Sequence, residues 1–218
     1  MDLDLMLRSL PLLAAGLRWT VVVAILGMAL ALALSVVLVA MRRSAHRFVR
    51  APARIYTEII LGVPILVLLF IVFFVLPEAG IVIDPLPAGL ITLMLYYSPY
   101  LAEVIRGALN AVPAGQIEAA RTVGMSRFRI AQRIVAPQAV GLMLPPMTGL
   151  FIGLTKDTAI LSVISVAELT FQAKQVISRT YAPFEVYVLV AAGYWVLTFV
   201  LETALRRAET SVTRYRRA

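Results

Sequence analysis

Long apolar blocks separated by short polar segments run through most of the chain. Each block is close to the roughly 20 helical residues that cross a hydrocarbon core about 30 Å thick. A segment in lipid must satisfy its own backbone polar groups, which favours helices. The pattern therefore predicts an all-α membrane protein, a single transmembrane domain over residues 1–218 with about five transmembrane helices. The predicted spans are residues 17–41, 55–76, 86–109, 140–154 and 187–205.

Prolines and charged residues interrupt some of these blocks. Pro64 lies inside the second span, where the missing backbone donor predicts a kink. The third span contains Glu103 and Arg106, and the short fourth span contains a proline pair that begins at Pro145. Residues 155–184 are too mixed in polarity to span, and they are predicted to form an outer helix or re-entrant piece packed against the bundle.

Arginines cluster in three polar segments. Basic residues close to span ends are retained on the cytoplasmic side of a membrane. The arginine-rich segments follow the first, third and fifth spans, so the N-terminus is predicted to lie outside and the C-terminus inside. The arginines that carry this argument are Arg42, Arg43, Arg47, Arg50, Arg54, Arg121, Arg127, Arg129, Arg133, Arg206, Arg207, Arg214, Arg216 and Arg217.

The composition argues against several classes of function, including nucleic-acid binding, metal binding and enzyme catalysis. The chain is 61% hydrophobic with a formal net charge of +8. The positive charge lies between apolar blocks, where basic residues set the orientation of the spans and contact lipid. We therefore expect no nucleic-acid partner. The absence of cysteine and the single histidine predict no metal site. The sequence contains no G-x-x-x-x-G-K-[ST] phosphate loop and no G-x-S-x-G or H-E-x-x-H motif, so we expect neither an ATPase site nor an enzyme.

The polar loop over residues 110–137 has the signals of two short helices. Pro113 suits the start of a helix, and Gly124 suits the left-handed position that ends it. Ser126 suits the N-cap of a second helix, which Pro137 is predicted to end. The loop is therefore predicted to form a rigid helix–turn–helix on the cytoplasmic face, a shape suited to docking a soluble partner.

The same loop resembles a known signature. Its acidic residue, two alanines, glycine four positions later and closing proline are similar to the signature loop of permease subunits in binding-protein-dependent ABC importers. The resemblance rests on the whole spacing, since an alanine-rich helix contains the short triplet by chance. Ala136 stands where the family usually has leucine. The matching residues are Glu118, Ala119, Ala120, Gly124, Ile134 and Pro137.

Four further segments resemble the polar-amino-acid branch of these type I importers. Residues 58–64 are similar to its E-x-x-R-G-T/V-P segment and residues 100–107 to its Y-x-A-E-x-x-R-G segment. Residues 156–158 match its K-D-T segment, and residues 183–185 continue the match. The resemblance therefore extends over nearly the whole chain.

The resemblance implies a type I ABC importer transmembrane fold in the bacterial inner membrane, with a periplasmic N-terminus and a cytoplasmic C-terminus. It implies a subunit that moves an amino acid or related small polar solute from periplasm to cytoplasm by alternating access. The implied partners are an ABC ATPase dimer that binds ATP and magnesium, a second permease subunit and a periplasmic solute-binding protein. The chain itself is expected to bind no cofactor.

The docking loop has the clearest implied role. Glu118, Ala119, Ala120 and Gly124 are expected to contact the ATPase, because small residues permit close approach and an exposed loop does not need Glu118 for insertion. An ion-driven secondary carrier and a non-transporting membrane scaffold are the rival functions, and the loop argues against both. Leu61, where the branch usually has arginine, leaves an opine or compatible solute open as cargo.

Charged residues inside spans are candidates for the solute path. A charge at a helix centre costs about 2.5–3.5 kcal/mol, so it normally faces a partner or a wet cavity. Glu103 and Arg106, three residues apart, lie on one helix face and either line the path or form a structural ion pair. Asp157 either meets the ammonium group of a solute or pairs with Lys156.

Three hydroxyl residues in the third span are further candidates. Tyr96, Tyr97 and Ser98 lie in mid-membrane, where the family branch usually has a different sequence. Their hydroxyls either hydrogen-bond a zwitterionic solute or serve packing, the commoner use of tyrosine.

Overall fold

The chain folds into helices joined by short connections. A computed structural model describes residues 3–212, so Arg214, Arg216 and Arg217 of the predicted cytoplasmic tail lie outside the described residues. In chain order the helices are α1 (Leu3–Arg42), α2 (Arg47–Gly62), α3 (Ile65–Phe70), α4 (Pro85–Asn110), α5 (Ala114–Thr122), α6 (Arg127–Ile130), α7 (Ala136–Asp157), α8 (Leu169–Thr180) and α9 (Pro183–Val212).

Four helical stretches within the described residues are long and apolar enough to cross a membrane. The pair formed by α2 and the stretch from Ile65 to Ala79 passes the same test together, which gives a fifth. The predicted all-α fold with about five spans is therefore confirmed. The four single stretches are Leu3–Arg42, Pro85–Asn110, Arg127–Ile164 and Pro183–Thr210.

The first helix is longer than the apolar block that predicted it. α1 begins at Leu3 and passes through Pro11 without a break, whereas the predicted span began at residue 17. Its N-terminal half packs against two later helices, where buried Leu13 meets Leu169 and Val186. Tertiary packing therefore extends this helix beyond the limit that hydropathy alone indicates.

The break in the second span is sharper than a kink. The two halves meet at 112°. Val63 is extended, with φ −106° and ψ 129°, because the ring of the following Pro64 disfavours helical backbone at the residue before it. Pro64 then occupies the N-cap of α3. The predicted position is correct, but the proline starts a new helix instead of bending one.

The prediction that Pro137 ends the second helix of the loop is wrong. Helical structure continues from α6 through a π-helical turn, Ala131–Val135, into α7. Proline lacks the backbone donor and clashes with the preceding turn of a regular α-helix. The wider π-helical turn ends at Val135, two residues before Pro137, and a local insertion of this kind changes the backbone pairing close to the proline. The fourth span is consequently longer than residues 140–154.

The centre of the molecule is the contact between α1 and α4. Small residues allow close approach there: a side chain at Gly27 would place its Cβ 3.1 Å from the Leu93 side chain. Ala24, Ala31 and Leu101 are buried in the same core. Lipid provides little hydrophobic drive between helices, so this tight van der Waals packing stabilises the pair.

Residues 155–184 were predicted not to span, but the fourth apolar stretch continues to Ile164, and only α8 forms a separate helix, which packs on α1 and α9. Glu168 caps α8, and its carboxylate accepts hydrogen bonds from the backbone N–H groups of Thr170 at 2.9 Å and Phe171 at 2.8 Å. The Tyr194 hydroxyl donates to the same carboxylate at 2.9 Å. Burial raises the pKa of the Glu168 carboxyl, and these hydrogen bonds partly oppose the rise. The cap therefore joins α8 to α9.

Close backbone contact also joins α8 to α1. The Leu169 N–H donates to the Thr20 hydroxyl at 3.2 Å. A Cβ added at Gly16 would lie 2.8 Å from the Leu169 Cα and 3.1 Å from the Glu168 carbonyl oxygen. These are backbone atoms, which cannot move aside as the end of a flexible side chain can.

We predict that Gly16→Ala destabilises the folded protein by about 1–3 kcal/mol, because overpacking forces α8 away from α1. Gly107→Ala in α4 is the control, since no heavy atom lies within 4 Å of its added Cβ. Its higher helix propensity should leave stability unchanged or increase it by up to about 1 kcal/mol. Thermal unfolding in detergent measures both, and equal midpoints would show that the α1–α8 contact is not tight.

Candidate functional site

The loop between α4 and α7 forms the predicted helix–turn–helix. α5 ends at a left-handed Gly124, with φ +76°, whose N–H donates to the Arg121 carbonyl at 3.0 Å. The Ser126 hydroxyl caps α6 by accepting from the Arg129 N–H at 3.4 Å. Both local predictions are confirmed, and α5 and α6 are held in one compact unit.

The four predicted docking residues lie along α5 and at its end. Glu118 and Ala119 are exposed, Gly124 is exposed at the turn, and Ala120 is buried against the rest of the loop. Two apolar side chains stand out beside them, with Val123 76% and Phe128 75% exposed. An exposed carboxylate beside protruding apolar groups is typical of a protein-docking surface.

The loop is attached to two membrane helices. Val112, directly after α4, is buried against Ala108 of α4 and Ala139 of α7. The Gln138 side chain of α7 donates to the Gln116 side chain of α5 at 2.6 Å. Direct contacts therefore connect α5 and the residues around it to both α4 and α7.

Those two helices meet again deeper in the bundle at Asp157. The Tyr97 hydroxyl of α4 donates to Asp157 Oδ2 at 2.7 Å, at the end of α7. Gly153 makes room for this contact, since a Cβ there would lie 3.3 Å from the Tyr97 oxygen. Lys156 is exposed, and the structure places no ion pair between it and Asp157. The side-chain hydrogen-bond donor to the Asp157 carboxylate is thus a tyrosine hydroxyl.

The remaining hydroxyl residues divide between two places. The ring of Tyr96 packs against Tyr97 and Tyr100 with centroids 5.4 Å apart in each case, and its hydroxyl lies 3.4 Å from that of Tyr100. Ser98 is fully buried on the other side, 3.1 Å from the Tyr56 hydroxyl of α2. The structure brings Tyr96 and Tyr97 together with Asp157 and places Ser98 at the α2–α4 contact.

Glu103 lies between two arginines. It accepts from Arg106 Nε at 2.9 Å and Arg106 Nη2 at 2.6 Å, which is the pairing expected from their spacing. Arg42 at the end of α1 also forms an ion pair with Glu103. The sequence did not identify Arg42 as a partner of Glu103, because Arg42 belongs to a cluster of arginines that indicates only the orientation of the spans. The three groups join the ends of α1 and α4.

An open cavity of about 480 Å³ lies between α2, α4 and α7. Tyr100 and Glu103 line it from α4, while Pro146 and Gly149 line it from α7. Leu61 closes a third side, so the residue that departs from the family pattern borders this space. The cavity is mostly apolar with one carboxylate at its edge, a composition typical of small-molecule sites.

Glu168 is the other functional candidate that sequence reasoning missed. It lies in the mostly apolar connection between α7 and α8, and its fully buried carboxylate accepts hydrogen bonds from the start of α8 and from Tyr194. Glu168 occupies the N-cap position directly before Leu169, and glutamate is not among the residues usually preferred there, so the sequence offers no clear signal for this cap. Within residues 3–212 no group of three or more histidine, aspartate or glutamate side chains is arranged to hold a metal ion.

Comparison with known proteins identifies close relatives. The L-cystine transport system permease protein of Bacillus subtilis (strain 168) is 34% identical over 214 residues, 97% of this chain and 92% of that protein. The nopaline transport system permease protein of Agrobacterium fabrum is 36% identical over 228 residues, covering 100% and 95%. A crystal structure of an amino acid ABC transporter with histidines superposes with a TM-score of 0.91 at 34% identity, covering 97% of this chain and 99% of that one.

The family model described as binding-protein-dependent transport system inner membrane component matches residues 35–214. This range contains the helix–turn–helix loop, the tyrosine cluster and the Glu103 network. The resemblance first seen in the loop is thereby confirmed over most of the chain. The chain belongs to the family of inner membrane components of binding-protein-dependent transport systems.

Proposed function

We propose that the chain is the transmembrane subunit of an ATP-driven importer that carries an amino acid or related small polar solute into a bacterial cell. It works in the inner membrane with a second permease subunit, an ABC ATPase dimer that binds ATP and magnesium, and a periplasmic solute-binding protein. The observation that carries the proposal is the exposed docking loop around Glu118, built onto helices of a family whose members serve such transport systems.

The proposed orientation places the N-terminus in the periplasm and the docking loop in the cytoplasm. The Arg42–Glu103 pair and the Gly27–Leu93 contact support it, because they make α1 and α4 run in the same direction. Both helices then end in arginine-rich segments on one side of the membrane. Basic residues are retained on the cytoplasmic side, so the side that carries the arginine-rich segments is the proposed cytoplasmic side.

Coupling follows from the attachments of the loop. ATP binding in the partner closes the ATPase dimer and displaces α5, and α5 contacts α7 through Gln116 and Gln138. α4 and α7 also share the Tyr97–Asp157 hydrogen bond, so a relative shift of the two helices changes the surroundings of that carboxylate. The chain thus links the nucleotide state of the ATPase to the opening of the solute path, first on one side of the membrane and then on the other.

Asp157 and the tyrosine hydroxyls form the proposed inner part of the solute path, with Glu103 and Arg106 nearer the cytoplasm. A carboxylate attracts the ammonium group of an amino acid, and hydroxyl groups hydrogen-bond either charged end of a zwitterion. Tyr100 connects the two regions, because it contacts Tyr96 and also lines the cavity beside Glu103.

An opine is the second candidate cargo. The nopaline permease relative is 36% identical over the whole of this chain, which supports that class. Leu61 beside the cavity favours a solute with an apolar portion at this point. An opine combines amino-acid charges with a larger carbon skeleton, so both classes need the same acidic contact at Asp157.

We expect Asp157→Asn to reduce solute uptake about tenfold or more, while ATPase activity falls much less. The substitution removes the charge that attracts an ammonium group, at about 1.4 kcal/mol for each tenfold change, and it keeps an acceptor for Tyr97. Tyr97→Phe is the matched variant, because it removes the hydrogen bond and keeps the carboxylate. Uptake and ATP hydrolysis in proteoliposomes measure both.

A purely structural role for Asp157 predicts a different pattern. The hydrogen bond to Tyr97 would then be the important feature, and Tyr97→Phe would impair uptake at least as strongly as Asp157→Asn. Normal uptake by Asp157→Asn would remove this residue from the solute path.

We expect Glu118→Arg to abolish co-purification of the ATPase, because it places a cation where the docking surface carries an exposed carboxylate. Affinity purification from the native host followed by mass spectrometry measures this. Glu78→Arg is the control, since Glu78 is also exposed but lies in the turn before α4, at the end opposite the loop. Recovery of an ATPase with both variants would remove Glu118 from the interface, and recovery of none with the unaltered chain would contradict the proposed function.

A further inference from the structure

A second cavity, of about 380 Å³, lies beside the docking loop. It is open to the surface and is lined by the residue that follows α1, the end of α4, α5 and α6 of the loop, and the π-helical turn after α6. Its size falls within the range of about 300–1,000 Å³ that is usual for small-molecule sites. It is distinct from the cavity that borders Glu103, because the two cavities share no lining residue.

The polar lining of this cavity is entirely cationic. Arg43, Arg121 and Arg127 contribute three guanidinium groups, and no acidic side chain lines the space. Elsewhere the described part of the chain pairs several of its arginines with carboxylates, as it does for Arg42 and Arg106. Among the residues that the structure describes, no ion pair involves the three cavity arginines. Their positive charge is therefore available to an anionic ligand.

Guanidinium groups favour a phosphate ligand in particular. Arginine offers planar pairs of N–H donors that match phosphate oxygens and bind them with charge-assisted hydrogen bonds. Three guanidinium groups around one cavity can bind a single phosphate more tightly than one isolated arginine on the surface can.

The rest of the lining is apolar, which favours a lipid over a free ion. Leu109, Ile117, Ile130, Ala131 and Val135 form this part of the wall. A small hydrated anion gains nothing from such a surface, whereas the glycerol backbone and the first carbons of an acyl chain gain by contact with it.

The position of the cavity is that of a lipid headgroup. Arg43 directly follows the long span α1, and Leu109 lies at the end of the span α4. Headgroups of the adjacent leaflet lie at the ends of such spans, and basic pockets between membrane helices on the cytoplasmic side recognise anionic ones.

We propose that this cavity binds an anionic phospholipid of the inner leaflet, with its phosphate held by Arg43, Arg121 and Arg127. The inference rests on the orientation given in the proposed function, and it does not depend on transport by the chain. Ile117 and Arg121 belong to α5, so the bound lipid joins the docking loop to the end of α1 and holds its position. Anionic lipid then becomes a structural component of the surface that carries Glu118.

Native mass spectrometry of the full-length chain in detergent, titrated with dioleoyl phosphatidylglycerol, tests the proposal. We expect the triple variant R43Q/R121Q/R127Q to weaken the tightest lipid binding about tenfold or more, since each basic residue contributes about 1 kcal/mol. The single variant Arg43→Gln, which leaves the docking loop unaltered, should weaken it about fivefold. Dioleoyl phosphatidylcholine, whose headgroup carries no net charge, should not occupy the site.

The control triple variant R47Q/R129Q/R133Q removes the same charge from the same polar segments but leaves the cavity lining intact. It should keep the tightest site within about twofold, a change of only about 0.4 kcal/mol. Equal weakening in the two triple variants would overturn the proposal, because it would show general attraction to a basic surface.

Two competition experiments distinguish other ligands. Inorganic phosphate should not displace the lipid at equal concentration, and displacement would assign the cavity to free phosphate. Addition of the co-purified ATPase should leave the lipid bound, and its release would assign the cavity to the ATPase interface. Either displacement would overturn the proposal.

Discussion

The close contact between α1 and α4 is the constraint on which the other helices depend. Two long helices in lipid gain little from hydrophobic burial against each other, so their association needs close approach through small residues and satisfied polar groups. Gly27 permits the approach to Leu93, and Glu103 joins the helix ends by pairing with Arg42 and Arg106. α2 then packs on α4 through Tyr56, and α8 packs on the other half of α1.

This arrangement also gives α4 and α7 their role. α4 packs against α1 along most of its length, and under the proposed function we expect α7 to shift more easily than α4. The two helices touch at Val112 and Ala139 near the loop and at Tyr97 and Asp157 deeper in the bundle. Direct contacts therefore connect the exposed loop to a carboxylate within the bundle. The same loop borders a cationic cavity, so the proposed lipid and the proposed ATPase partner would contact neighbouring faces of one element.

The features that the sequence predicted correctly are mostly local. The Gly124 turn, the Ser126 cap and the Glu103–Arg106 pair depend on residues within a few positions of one another, where helix geometry fixes the neighbours. The five apolar blocks were equally predictable, because the thickness of the membrane sets their length. The helix–turn–helix could be derived from these signals alone.

The features that were missed depend on distant parts of the chain. Arg42 meets Glu103 across 61 residues, and Tyr97 meets Asp157 across 60, so no local pattern indicates either contact. Glu168 becomes a buried cap only because α1 and α9 cover α8. Pro137 misled the prediction because a π-helical turn, which has no clear sequence signal, accommodates a proline that ordinarily ends a helix.

If a partner ATPase drives solute movement through this chain, uptake must depend on ATP. The most direct measurement is uptake of radiolabelled amino acid into proteoliposomes that contain the chain with its co-purified ATPase, permease and binding-protein partners. We predict uptake that requires enclosed or added ATP on the ATPase side and stops when the ATPase is omitted. Uptake by the chain alone, driven by an ion gradient and indifferent to ATP, would contradict the proposed function.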